Sequence, residues 1–303
     1  MVLKNFHFNK RIGAGDVVFN IVNTSFLSLI LFAIAYPLYF VIIASFSSPD
    51  LVNTGQVMLY PKAFTLDGYK RIYEYESIWS GYANTLYYTV AGTLLSIGVT
   101  MAIAYPLSKA VFSGKKFIMI FLTITMFFSG GLIPTYLLVQ SLGLYNTRTV
   151  MIILGSVEVF LVIIARTFIS SSIPSDLESA AAIDGCSHFR YFFQFVLPLS
   201  KALIAVLALN YGIVRWNDYM RALIYLRDQT KWPLQLFLRL ILVQNLVDET
   251  SMMVDIASEQ ERLRTAELIK YGIIIVSSAP LLILYPFLQK YFVKGIMIGS
   301  LKG

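Results

Sequence analysis

Residues able to do chemistry are sparse in this chain and cluster in a few places. Glu158 is the one charged residue in the apolar run 149–165. A charge at the centre of a bilayer costs on the order of 2.5–3.5 kcal/mol on insertion scales, so this carboxylate has to face a partner or a water-filled cavity. Two readings stay open: a lining residue that hydrogen-bonds solute hydroxyls, and a structural bond to a neighbouring helix. The cluster Arg215-Trp216-Asn217-Asp218-Tyr219 sets aromatic rings beside amide and carboxylate groups. That mixture suits a sugar, which has an apolar face and a rim of hydroxyls. Trp and Tyr also anchor helices at membrane interfaces, but anchoring has no need of Asn217 and Asp218. Tyr136, just after Pro134, is a further candidate for contact with a solute.

The segment 174–198 has a different character, with polar and small residues set between two apolar runs. Ser175 followed by Glu178 is a capping-box pattern that starts a helix, and Pro174 stops the preceding run from continuing. Ser179-Ala180-Ala181-Ala182 would let another surface approach the helix backbone. Asp184-Gly185 ends the helix, because glycine takes the left-handed conformation without steric cost. A second short helix starts near Ser187 and sets Phe189, Phe192, Phe193 and Val196 at helical spacing on one apolar face. Leu197-Pro198 turns the chain into the next run. These residues alone fit either a plain helical hairpin or a docking surface.

Several chemistries are excluded. No GxxxxGK[ST] phosphate loop occurs, and the nearest string, Ser113-Gly114-Lys115-Lys116, lacks the upstream glycine and the following hydroxyl. No HExxH, GxSxG or Cys/His cluster is present, so neither a catalytic set nor a metal site is expected. His7 and His188 are isolated, and the single cysteine, Cys186, rules out an intrachain disulfide. The net charge of +7 is spread beside apolar runs without a basic block, which argues against nucleic acid.

The elements that carry these residues are membrane spans. Of 303 residues, 57% are hydrophobic and 14% charged, against about 25% charged in a soluble domain; mean hydropathy is +0.70. Apolar runs cover 17–48, 83–108, 117–147, 149–165, 199–220 and 271–288, which predicts an all-α polytopic membrane protein with six transmembrane helices. The first run is too long for a signal-peptide core of roughly 7–15 residues. Lys4, Lys10 and Arg11 precede the first run, Lys109, Lys115 and Lys116 follow the second, and Lys290, Lys294 and Lys302 follow the last. By the positive-inside rule all three segments, and both termini, are cytoplasmic. An even span count follows, and 232–247 is expected to lie as an amphipathic segment at the outer surface. The chain reads as one permease domain over 1–303: a tail 1–16, a core 17–288 containing a cytoplasmic loop 169–198, and a tail 289–303.

The loop resembles the EAA loop of ATP-binding-cassette importer permeases. Aligned on Asp184-Gly185, Ala180 and Ala181 take the two alanine positions and Leu197-Pro198 the closing pair. Ser179 falls where the family has its lead glutamate, and Glu178 sits one residue earlier. SGGLIPTYLLVQSLGLYNT (129–147), LPLSK (197–201), RWNDYMRALIYL (215–226) and KGIMIGSLKG (294–303) also look like carbohydrate-importer permeases. They are most similar to the branch for complex oligosaccharides, near the maltose-transporter second permease. The resemblance implies the type I importer fold and half of a translocation path in a bacterial plasma membrane. It also implies a heterodimer with a second homologous permease, two cytoplasmic ATPase subunits and an external solute-binding protein. ATP and magnesium would sit on the ATPases and no cofactor on this chain. The implied coupling surface is Glu178, Ser179, Ala180, Ala181, Asp184, Gly185, Leu197 and Pro198. The tail with Lys294, Gly295, Gly299 and Gly303 would reach the seam between the ATPases. The competing class is an ion-gradient-driven secondary carrier, which often shows internal repeats and charge relays inside the membrane; the sequence shows neither.

Overall fold

The structure is a computed structural model that describes residues 14–109, 111–247, 267 and 269–283. Helix is the only regular secondary structure among them. The first helix, α1 (Ala14–Ser45), has 32 residues, about 48 Å at 1.5 Å per residue and more than a hydrocarbon core of ~30 Å. Its apolar side chains are exposed on every face until the last turn. There Ile43 and Ala44 pack with Val52 and Val57, next to Tyr271. A helix apolar all round has to be covered by lipid or by another apolar surface.

The central helix is α2 (Glu76–Ser108). Gly81, Thr85, Tyr88, Gly92, Ser96, Thr100 and Ala104 are buried at steps of three or four, so all but Tyr88 form a seam of small side chains. Small residues at this spacing let neighbouring helices approach closely, and α2 makes the most extensive helix–helix contacts among the described residues.

Several of the expected straight spans are broken. The run 117–147 becomes α3 (Lys115–Phe127) and α4 (Leu132–Ser141), bent by 113° at Phe128-Ser129-Gly130-Gly131. The run 149–165 is interrupted between α5 (Arg148–Ile153) and α6 (Val159–Ser172) at Gly155, whose φ is +73°. Beyond α6 a 73° bend leads into the loop helix α7 (Ser175–Ile183). Next comes α8 (His188–Tyr191), which runs through a π turn (Phe192–Val196) and Leu197–Leu199 before a 79° bend into α9 (Lys201–Trp216). The π turn has a local cause. Pro198 has no N–H for the Gln194 carbonyl and its ring crowds that carbonyl, so the backbone widens. The remaining labelled helices are α10 (Met220–Tyr225), α11 (Leu234–Val247) and α12 (Ile269–Ile283).

Two expectations meet their packing here. Helix α11, expected as an amphipathic segment, is held on the bundle by one face: Leu234 and Leu236 are fully buried, and Leu238 and Ile241 pack beside Leu234. The segment leading into it is stitched to α2. Asn84 donates to the Thr230 and Trp232 carbonyls at 2.8 and 3.1 Å, Tyr88 donates to the Lys231 carbonyl at 2.8 Å, and the Thr85 hydroxyl accepts from the Leu234 N–H at 2.8 Å. The apolar face of the second loop helix also turns. Val196 is fully buried and Phe192 half-buried, but Phe189 and Phe193 are 81% and 60% exposed. Tyr191 and Phe195 take the inner face instead, because the wide turn adds a residue and rotates the helix out of its 3.6-residue register.

Candidate functional site

The loop helix begins after Pro174, which stands in the cap position without a side-chain cap bond. Ser175 is already helical, and its hydroxyl reaches only Asp176, at 3.5 Å. The capping box is therefore absent, and Glu178 is free to bond elsewhere. The helix ends as its residues dictate. Gly185 has φ +71°, the Gly185 N–H donates to the Ala182 carbonyl at 3.1 Å, and the Cys186 N–H donates to that of Ala181 at 2.9 Å. This is the Schellman pattern, which satisfies carbonyls that the helix cannot.

The two faces of α7 differ. Ala181 is buried and Leu177 packs beside it, in a cluster with Met101 and Ala104 of α2, Leu161 and Ala165 of α6, and Leu203 and Leu207 of α9. Ser179, Ala180, Ala182 and Asp184 are exposed, and Ile183 is 87% exposed. Of the two alanines at the motif positions, Ala180 therefore belongs to the outer face and Ala181 to the core. Leu197 is half-buried and Pro198 exposed. Glu178 lies to the side, and its Oε2 is 2.5 Å from Lys109 Nζ, one residue beyond α2. Lys109 Nζ also stands 4.4 Å from the Tyr105 ring centroid and 4.9 Å from that of Tyr191. Burial first, and then the charge of Glu178, pushes the Tyr191 phenol up from its ordinary pKa, so it stays neutral beside the ammonium group. The last carbonyls of this end of α2 have further cationic donors. Arg166 Nε donates to Leu107 at 3.1 Å and Lys115 Nζ to Lys109 at 3.3 Å, as suits a helix C-terminus.

At the other end of α6 the structure moves several candidates. Glu158 does not interrupt a span. It occupies the cap position of α6, exposed, where the positive end of the helix dipole favours an acid. Its backbone N–H donates to the Tyr211 hydroxyl at 3.2 Å, and that hydroxyl lies 2.7 Å from Thr100 Oγ1. Trp216 is turned inward, 3% exposed, with its indole N–H on the Ser277 carbonyl at 3.0 Å and its ring edge-on to Tyr82. It presents no open face to a solute. Asp218 is paired with Arg221 and also accepts the Arg221 backbone N–H at 3.2 Å, so its carboxylate is engaged internally. Asn217 is exposed, with its amide on the Ile213 carbonyl at 2.9 Å. Tyr219 carries the Arg239 guanidinium over its ring at 4.4 Å. Tyr136 stacks on Tyr225 and meets Tyr145 edge-on. Glu158, Asn217, Asp218, Tyr219 and Tyr136 keep exposed or half-exposed surface, and Trp216 does not.

The role of the residues that organise the break was not assigned from sequence. Arg215, 4% exposed, donates to the Met151 carbonyl and to the Ser96 and Ser156 hydroxyls at 3.2 and 3.3 Å. Arg221 donates to the Leu154 carbonyl. Two guanidinium groups thus hold carbonyls that α5 leaves without helical partners where it stops. The available signal was two arginines six residues apart at the end of an apolar run. Nearby, Asn146 (φ +57°) accepts from the Arg227 and Asp228 N–H groups at 3.1 and 3.0 Å. The tail residues Lys294, Gly295, Gly299 and Gly303 lie outside the described residues.

An all-α, multi-pass membrane bundle with broken spans and a packed helical loop between α6 and α9 has the type I importer-permease fold. Residues 14–298 match the family described as "Binding-protein-dependent transport system inner membrane component", and the chain belongs to that family. It is 37% identical over 286 residues to Protein LplC of Bacillus subtilis (strain 168), covering 94% of this chain and 95% of that one. It is 38% identical over 278 residues to the polygalacturonan/rhamnogalacturonan transport system permease protein YtcP of the same organism, covering 91% and 96%. A chain from the crystal structure of a bacterial ABC transporter involved in the import of the acidic polysaccharide alginate superposes with a TM-score of 0.83 at 32% identity, covering 92% of this chain and 98% of that chain.

Proposed function

We propose that this chain is one of two permease subunits of an ATP-driven importer of oligosaccharides, and that it hydrolyses nothing itself. Membership of a binding-protein-dependent transport family supports the class. The two cited relatives whose names give a cargo are named for polygalacturonan/rhamnogalacturonan and for alginate, which supports fragments of acidic polysaccharides as the solute. The observation that carries the mechanism is the two-faced loop helix. Its inner face packs with three spans, while Ser179, Ala180 and Ile183, with Phe189 and Phe193 beyond the Gly185 joint, face outward. An exposed apolar surface below the membrane has a use when an ATPase subunit seats on it. Closure of the ATPases then moves the loop and, through it, the spans, as rigid bodies.

In this reading the loop and both termini are cytoplasmic, the tail 294–303 reaches the seam between the ATPases, and the segments 49–82 and 222–270 meet the solute-binding protein. Exposed Glu158 at the break, with Asn217, Tyr219 and Tyr136, offers polar and aromatic contacts along the path. The deciding experiment is to co-express this chain with its partner permease, ATPases and binding protein, purify through a tag on this chain, and reconstitute into vesicles. ATPases should co-purify, and oligogalacturonide uptake should require internal ATP. Uptake driven by an ion gradient by this chain alone would establish a secondary carrier instead.

A further inference from the structure

Five ion pairs join described residues, and four of them link residues three apart in one segment. The exception, Lys109 to Glu178, links the end of α2 to the loop helix. Both side chains are partly shielded, at 22% and 32% exposed, where screening by salt and water is weaker than on an open surface. The ammonium group is also shared by the Tyr105 ring of α2 and the Tyr191 ring of α8, so one cation draws together three elements. Along the chain α7 is joined to its neighbours through bends, at Pro174 on one side and at Gly185 on the other, and beside the apolar packing of Leu177 and Ala181 this pair is the charged contact that fixes it to α2. A helix set between two bends transmits force poorly unless something fixes it to the body it must move.

We infer that the Lys109–Glu178 pair ties the loop helix to the second span, making Glu178 a positioning residue that faces the bundle rather than a contact for the ATPase. The inference rests on the permease reading above. One step along a helix is a rotation of about 100°. An acid at position 179 would stand on the exposed face, and the acid at 178 instead reaches Lys109. With the tie intact, the resting state of the spans constrains the loop and holds the seated ATPases apart. With it cut, the ATPases close without waiting for the spans.

The test uses the complete importer in phosphatidylglycerol-containing vesicles, with ATP hydrolysis measured in the absence of solute. Lys109→Gln and Glu178→Gln should each raise this basal hydrolysis about fivefold or more, the scale of a lost coupling energy. The charge-swapped double variant, Lys109→Glu with Glu178→Lys, should return it to within about twofold of the wild type. Wild-type hydrolysis in both single variants, or a double variant no closer to wild type than the singles, overturns the inference. If a single variant fails to assemble, Lys109→Arg decides, because it keeps the pair: it must assemble and hydrolyse at the wild-type rate, and its failure also overturns the inference. Absence of ATPases from the purified wild-type complex defeats the permease reading instead, so the two failures are told apart.

Discussion

A carboxylate at position 178, one place from the exposed Ser179 on α7, turns to the side and pairs with Lys109 of the same chain. Gly185 is the other residue whose role follows from its own geometry. Its φ of +71° costs an ordinary residue about 1–2 kcal/mol, and nothing lies within 4 Å of where a Cβ would stand. The penalty of substitution is therefore in the backbone and not in crowding. Gly185→Val should shift the Schellman turn, lower the ratio of solute transported to ATP hydrolysed, and leave membrane insertion unchanged. Gly185→Asn, which tolerates the left-handed region, should keep most of the ratio. Coupled uptake and hydrolysis measurements on the two variants check the difference.

Breaks in the helices are features that uninterrupted hydropathy does not reveal, and each has to be satisfied by groups from elsewhere. At the end of α5 the donors are Arg215 and Arg221, and Arg215 fits only because α2 has Gly92 opposite it. A Cβ at Gly92 would come within 2.5 Å of Arg215 Cδ and Nε. Arg215→Met leaves the Met151 carbonyl and two serine hydroxyls without their donor and should cost about 1–3 kcal/mol. Gly92→Ala should cost a similar amount, about 1–3 kcal/mol, by crowding. Because both changes act on one contact, the double variant should cost less than the two summed. Thermal unfolding of the four proteins in detergent measures all three values, and strict additivity would show that the contact does not govern the break.

At the scale of the molecule, the described residues carry much exposed apolar surface. Almost all of α1 is exposed, an apolar surface that lipid or another apolar surface has to cover. The orientation of the chain is open to direct measurement. Phe189 is 81% exposed beside the loop helix, and Cys186 is the only native cysteine. In a Cys186→Ser background, Phe189→Cys should react with a membrane-impermeant maleimide in inverted vesicles and stay unlabelled in intact cells. The opposite pattern would put the loop outside and leave no place for a cytoplasmic ATPase.

The membrane class, the apolar runs and the stop at Gly185 were legible in the linear chain, because they depend on composition, local periodicity and the backbone freedom of single residues. The loop between α6 and α9 could be marked for the same reason: small and polar residues flanked by proline and glycine are a local signal. The three-dimensional packing was needed wherever a residue's role depends on a group far away in the chain. Trp216 and Asp218 show no partner in the linear chain, and the packing sets Ser277 and Arg221 against them. Phe189 and Phe193 shared one apolar face with Phe192 and Val196 by helical spacing until the π turn split it. Lys109 was one positive charge among several until Glu178, Tyr105 and Tyr191 converged on it. Hydropathy and helix spacing report what a segment can bury, whereas the partner that occupies a charge is fixed only when separate helices pack side by side.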